Sequence, residues 1–201
     1  MAHNIENSKN TLTALLQKVQ DQAARSADFL APTNNLQKVT SENGAPGLVI
    51  EASRGVPTKH FKINDTAFGQ MATHAGIDTR TARRLQLGYS KQYDNLLNAI
   101  WDKEATVRMI RTHLNIEKEA GTVGDDGVVR AWVSDKFKTF DNSNLLESIL
   151  PPLMEKNLQV VSADLSEKRM YLRLKSLDQL GTGANVGDHM ANGIGFGNSE
   201  V

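Results

Sequence analysis

Between Arg130 and Lys175 the chain twice alternates side chains of opposite character, and this pattern restricts its folding choices more than any other feature. In NLQVVSADLSEKRMYLRLK, Arg169, Tyr171, Arg173 and Lys175 interleave with Met170, Leu172 and Leu174. Successive side chains of a strand point to opposite faces, so a strand here has one face for the core and a basic, aromatic face for solvent or a ligand. The stretch GVVRAWVSDKFKTFDN repeats the spacing and sends Arg130 and Trp132 one way, Ala131 and Val133 the other. Between the two lies SNLLESILPPLMEK, with Leu145, Leu146, Ile149, Leu150 and Leu153 at helical spacing. The expected fold class is α+β: an antiparallel sheet with β-hairpins flanking a short helix, plus an N-terminal helix and a central helical corner. If the hairpin strands share a sheet, cations and rings gather on one surface.

A chain of 201 residues, 39% of them hydrophobic, is long enough for one sizeable domain with a proper core. Lys plus Arg number 23 and Asp plus Glu number 23, so net charge steers the molecule toward neither nucleic acid nor an anionic membrane. A nucleic-acid surface must then be a local patch. Without cysteine there are no disulfides, thiolate metal sites or cysteine nucleophiles. The opening MAHNIENSKN has no apolar signal core, and no run reaches the length of a membrane span. A soluble protein of the cytoplasm is expected, with no membrane partner.

Apolar residues from Leu12 to Leu30 recur at helical spacing, which predicts a helix over 11–30 that Pro32 stops. Short strands are expected at 34–40, 47–52 and 59–63 as a three-strand meander, separated by SENGAPG and SRGVPT. Asn64 or Asp65 can cap a helix running to His74; Gly76 breaks it, Asp78 or Thr79 caps a second, and a third runs from Ser90 to Trp101. Val107 to Leu114 pairs with Gly127 to Val133 across EKEAGTVGDDG. Asp141, Asn142 or Ser143 caps the next helix, which Pro151 and Pro152 must kink or restart. The closing GTGANVGDHMANGIGFGNSEV has the composition of a flexible tail. The expected organisation is an N-terminal helical arm at 1–31, an α+β core at 32–176 and a glycine-rich C-terminal segment at 177–201.

Three constellations could carry function. QMATHAGIDTRTARRL has helix-turn-helix spacing and places Arg80, Arg83 and Arg84 on its second helix, although helix-glycine-helix corners are also common packing units. The hairpin face of Arg130, Trp132, Arg169, Tyr171, Arg173 and Lys175 could hold a single strand, bases on rings and phosphates on cations. Its bland reading is the ordinary polar side of a half-exposed sheet. Asp135, Asp141 and Asp164, with His60, His74, His113 and His189, lack catalytic or metal-ligand spacing, so no catalytic residue, metal or cofactor is expected and the chain reads as a non-enzyme. GIGFG has no helix after it to make a phosphate loop.

Several stretches together, SADFLAPTNNL, AFGQMATHAGIDTRTARRL, VRAWVSDKFKTFDNSNLLESILPPL, VVSADLSEKRMYLRL and the terminal NSEV, resemble a phage/plasmid-like protein family known only as a domain of unknown function. In that family the NSEV region looks internal, so the resemblance implies a version lacking the C-terminal part, whose glycine-rich segment is a strand in longer relatives. It also implies a phage, plasmid or other mobile genetic element and a bacterial host cytoplasm, and it supplies no reaction. The leading expectation is an accessory protein of replication or recombination that binds single-stranded DNA through the hairpin face, with Arg83 and Arg84 as auxiliary phosphate contacts. The alternatives are a protein-binding module that self-assembles as a homo-oligomer or blocks a host or phage protein, and a helix-turn-helix regulator.

Overall fold

The computed structural model describes residues 2–52, 57–115, 126–155, 158–166, 169–176 and 193–200. The architecture is α+β, with the strands in a six-stranded and a three-stranded sheet. The chain divides into two compact units, one formed by residues 25–138 and the other by residues 1–24 with 139–200, where the sequence reading expects a single domain. The reason lies in the two cores. Buried apolar residues fall into two separate clusters, and the N-terminal helix belongs to the cluster that the last third of the chain completes.

The larger unit contains β1 (Ser26–Pro32), β2 (Leu36–Thr40), β3 (Pro46–Ile50), β4 (Lys59–Ile63), α2 (Asp65–His74), α3 (Thr79–Gly88), α4 (Ser90–Glu104), β5 (Val107–Leu114) and β6 (Gly127–Ser134). Its strands lie in the order β1-β5-β6-β4-β3-β2. The expected meander is present as β2, β3 and β4, all antiparallel, and β4 then runs parallel to β6. Caps act where the sequence places them: the side chain of Asn64 accepts from the Ala67 N–H and that of Asp78 from the Thr81 N–H. Gly76 makes the turn between α2 and α3 with φ +72°, a conformation costly for any residue with a Cβ.

Two polar devices organise this core. Lys38 Nζ is buried and donates to Asp94 Oδ1 at 2.6 Å and Gln86 Oε1 at 2.9 Å, which joins β2 to α3 and α4. Asn98 on α4 accepts from the Lys38 backbone N–H at 2.7 Å and donates to its carbonyl at 3.0 Å. That amide occupies the ladder positions a further strand would take, so the β2 edge is closed to pairing there.

Residues 26–30, which the periodicity assigns to the N-terminal helix, are strand instead. α1 (Ala2–Arg25) ends earlier, and residues 26–32 pair along their length with β5 as β1. Asp28 accepts from Arg111 Nε at 3.2 Å, and Phe29 packs on Phe61 at 5.7 Å between ring centroids. These partners lie far along the sequence, beyond the reach of a local periodicity.

The smaller unit packs α1 and α5 (Asn142–Glu155) on one face of an antiparallel sheet of β7 (Leu158–Leu165), β8 (Met170–Ser176) and β9 (Gly193–Asn198), in the order β7-β8-β9. Leu15 and Val19 of α1, Leu146 and Ile149 of α5, and Met170, Leu172 and Leu174 of β8 share this core. α5 is continuous through Pro151 and Pro152. Its first N–H is held by a residue from the chain's far end: Glu200 is buried and accepts from the Asn142 N–H at 2.6 Å. The expected tail is therefore structured where it is described, since residues 193–198 form β9 and Glu200 caps α5. The remainder of that expected tail, 181–192, and most of the loop EKEAGTVGDDG lie outside the described residues.

Candidate nucleic-acid interface

In β8 the alternation survives intact. Met170, Leu172 and Leu174 are buried, while Tyr171, Arg173 and Lys175 are exposed. Directly paired residues of antiparallel strands share a face. On β7 the partners of Tyr171, Arg173 and Lys175 are Asp164, Ser162 and Gln159; on β9 they are Gly197, Gly195 and Gly193. The outer face thus carries its cations on one strand, a single carboxylate on a second and no side chain at all on the third. A register shift leaves Val161 without a counterpart, and this bulged residue is 58% exposed.

The glycines give Tyr171 its placement. A Cβ on Gly197 would lie 3.3 Å from Tyr171 Cε1 and 3.4 Å from Cδ1, so the ring leans across the bare strand. The ring remains 46% exposed. Arg169, at the end of the β7–β8 turn, donates from Nη1 to the Tyr171 hydroxyl at 3.1 Å. That bond favours the charged guanidinium and raises its pKa above the ordinary value. Ser166 fixes the turn by donating from its backbone N–H to the Arg169 carbonyl at 2.9 Å and accepting from the Arg169 N–H at 3.1 Å. Arg173 and Lys175 make no ion pair among the described residues.

Arg130 and Trp132 do not join this surface. They sit on β6 in the other sheet and the other unit, each 3% exposed. β6 is an interior strand with both neighbours in place, and α2 packs against it. Trp132 stacks on Trp101 at 4.8 Å between centroids, and its backbone N–H donates to Gln70 Oε1 at 2.7 Å. Arg130 also loses the two-residue phase with Trp132. The register passes from Arg111 opposite Ala131 to Thr112 opposite Val129, skipping Arg130, and the bulge resets the alternation. Val129 and Trp132, three apart, both enter the same core as a result.

The helical corner is formed, and its arginines divide. Arg83 donates to Asp65 Oδ1 at 3.1 Å and lies 5.6 Å from the centroid of Phe68, which makes it a brace from α3 to α2. Arg80 and Arg84 are exposed. The scattered acids and histidines remain scattered. Asp141 accepts from the Leu145 N–H through its backbone carbonyl, His113 Nδ1 lies 3.3 Å from Ser26 Oγ, and His189 lies outside the described residues. His74 is held by Arg108, whose Nη2 is 2.8 Å from Nδ1, and its Nε2 is 3.3 Å from Glu104 Oε2. Burial lowers its pKa, Arg108 lowers it further, and Glu104 opposes both. Among the described residues no group of three or more His, Cys, Asp or Glu is placed to hold a metal ion.

The bare outer face of β9 was missed because glycine-rich composition reads as tail. The signal that could have found it is the alternation in GIGFGN, with Ile194 and Phe196 between the glycines at strand period. No protein-family model matches the chain, and neither the curated proteins nor the solved structures contain a match to it.

Proposed function

We propose that this chain binds single-stranded nucleic acid through the outer face of β8, in the replication or recombination of a phage or other mobile element. The observation that carries the reading is the seating of Tyr171 over Gly197, with Arg169, Arg173 and Lys175 on the same side. A ring supported from below offers a base its free surface, and cations spaced along one strand can follow the phosphates. The glycines of β9 leave room for a backbone beside them. Arg130 and Trp132 take no part, and the surface is smaller than the alternation alone suggests.

The reading is tested by fluorescence anisotropy of a labelled single-stranded oligonucleotide at several salt concentrations. Each phosphate contact to a single strand contributes about 0.7 to the slope of log affinity against log salt, or about fivefold in affinity near 0.1 M. The double variant Arg173→Ala/Lys175→Ala is therefore expected to bind about 25-fold more weakly with a slope lower by about 1.4. Tyr171→Ala removes a stacking platform that contributes about 1–3 kcal/mol per base, while Tyr171→Phe retains it. Unchanged affinity in the double variant would remove the assigned surface. A second reading, a protein partner, draws on the exposed Val161 beside the cations, since an apolar contact rimmed by positive charge also suits an acidic peptide.

A further inference from the structure

α3 presents a surface that the single-strand reading leaves unused. Only Ala82 and Gln86 of this helix are buried, with Leu85 packed partly against the core. Arg80, Arg84 and Leu87 fall at i, i+4 and i+7, which puts them on one stripe opposite the buried pair. All three are exposed, Leu87 at 89%. Arg83 lies to one side of the stripe and is bound down to Asp65 and Phe68, so it orients the helix on α2 instead of reaching outward. Asp78, the one acid at this end of the helix, is committed to capping, and the hydrogen bonds from the Thr81 side chain and then the Thr81 N–H lower its pKa. Arg80 and Arg84 have no ion pair among the described residues, and Tyr89 and Lys91 extend the exposed surface past the helix end.

Two guanidiniums and an apolar side chain in line on the second helix of a glycine-turned corner fit one ligand well. We propose that the Arg80–Arg84–Leu87 stripe is a second nucleic-acid contact, which takes the major groove of duplex DNA and is separate from the single-strand face of β8. The major groove of B-form DNA admits a helix, whereas that of A-form RNA is too deep and narrow for side chains to read. The arginines meet phosphates or guanine edges, and Leu87 meets a thymine methyl group or sugar. With its ten residues α3 spans about 15 Å, enough to cross the groove. The two surfaces lie on different units and call for different forms of nucleic acid, so each can fail without the other.

The test uses the full chain, one labelled single strand and the duplex of the same sequence, followed by anisotropy across a salt series. Each phosphate contact on B-form DNA contributes about 0.9 to the log–log slope, which is about eightfold in affinity near 0.1 M salt. Arg80→Ala/Arg84→Ala is expected to weaken duplex binding about 60-fold and to lower the slope by about 1.8, while leaving single-strand affinity within about twofold. Arg173→Ala/Lys175→Ala shows the reverse pattern. Leu87→Ala weakens duplex binding without changing the salt slope, which distinguishes a groove contact from charge attraction alone. The chain's two tryptophans are buried in the unit that carries α3, so unchanged emission shows that the Arg80, Arg84 and Leu87 variants leave that unit folded. Absence of duplex binding by the unmodified chain, or duplex affinity unaffected by the double arginine variant, overturns the proposal. Either result leaves the β8 reading to be judged on the single strand.

Discussion

Replacing Asp94 with alanine removes the one carboxylate that, among the described residues, is bonded to a lysine whose side chain has 0% exposure. Truncating one partner of a buried ion pair costs about 3–5 kcal/mol, because the remaining charge stays in a poor solvent. Three remaining acceptors narrow this range. After truncation Lys38 Nζ still has Gln86 Oε1 at 2.9 Å, the Val39 carbonyl at 3.2 Å and Thr40 Oγ1 at 3.3 Å. The amine can also shed its proton, and doing so at pH 7 from the ordinary value of 10.5 costs about 5 kcal/mol, a ceiling on the penalty for the stranded charge. A loss near 3–4 kcal/mol is expected for the 25–138 unit, equivalent to a fall of roughly 15 °C or more in its midpoint.

Urea unfolding followed by tryptophan emission reads this unit alone, because Trp101 and Trp132 both lie in it. The pH dependence supplies an independent signature. Burial already lowers the Lys38 pKa against the opposing influence of Asp94, and removing Asp94 lowers it further. The unfolded lysine then holds its proton where the folded one does not. Between the folded pKa and 10.5 the variant gains stability as pH rises, more steeply than the parent. Lys38→Met/Asp94→Leu, which removes both charges and keeps apolar volume, recovers most of the loss. A loss under about 1 kcal/mol in Asp94→Ala, with no added alkaline slope, would refute the buried-charge argument.

Glu200→Ala uncaps α5 and is expected to cost the smaller unit about 1–2 kcal/mol, seen as faster hydrogen exchange at the first amides of α5 with tryptophan emission unchanged. Gly127→Ala places a Cβ 2.0 Å from the His113 carbonyl oxygen at φ +131° and should leave the larger unit unable to fold in soluble expression trials. Gly76→Ala meets open space at φ +72° and should cost only about 1–2 kcal/mol by urea denaturation. Asn98→Ala exposes the β2 edge and leaves the Lys38 N–H and carbonyl unpaired, so light scattering should detect more self-association than in the parent. Because the folded His74 pKa lies below its ordinary 6.5, the larger unit should lose stability as pH falls below about 6.5, and His74→Gln should flatten that slope in midpoint-against-pH measurements.

Local chemistry was legible along much of the chain. Asn64 and Asp78 cap helices because their short side chains reach the N–H three residues on, and Gly76 breaks the corner because a Cβ is costly at positive φ. The alternation of residues 169–175 is visible for the same reason: period two is a property of the strand itself. Residues 26–30 were misread, and the composition of the β9 segment reads as tail, because each is stabilised by a strand distant in sequence, β5 for one and β8 for the other.

The candidate site shows the same division. Sequence alone determined that Arg169, Tyr171, Arg173 and Lys175 share a side, since the backbone's own geometry sets that phase. Only the tertiary structure decided which sheet each strand joins. It placed Arg130 and Trp132 in an interior strand, where a bulge separates them in phase and helices cover the ring, and it set the glycines of β9 beside Tyr171. A strand's pleat depends on its own bonds, whereas its neighbours depend on hydrogen bonds and buried area contributed by segments that no local pattern identifies.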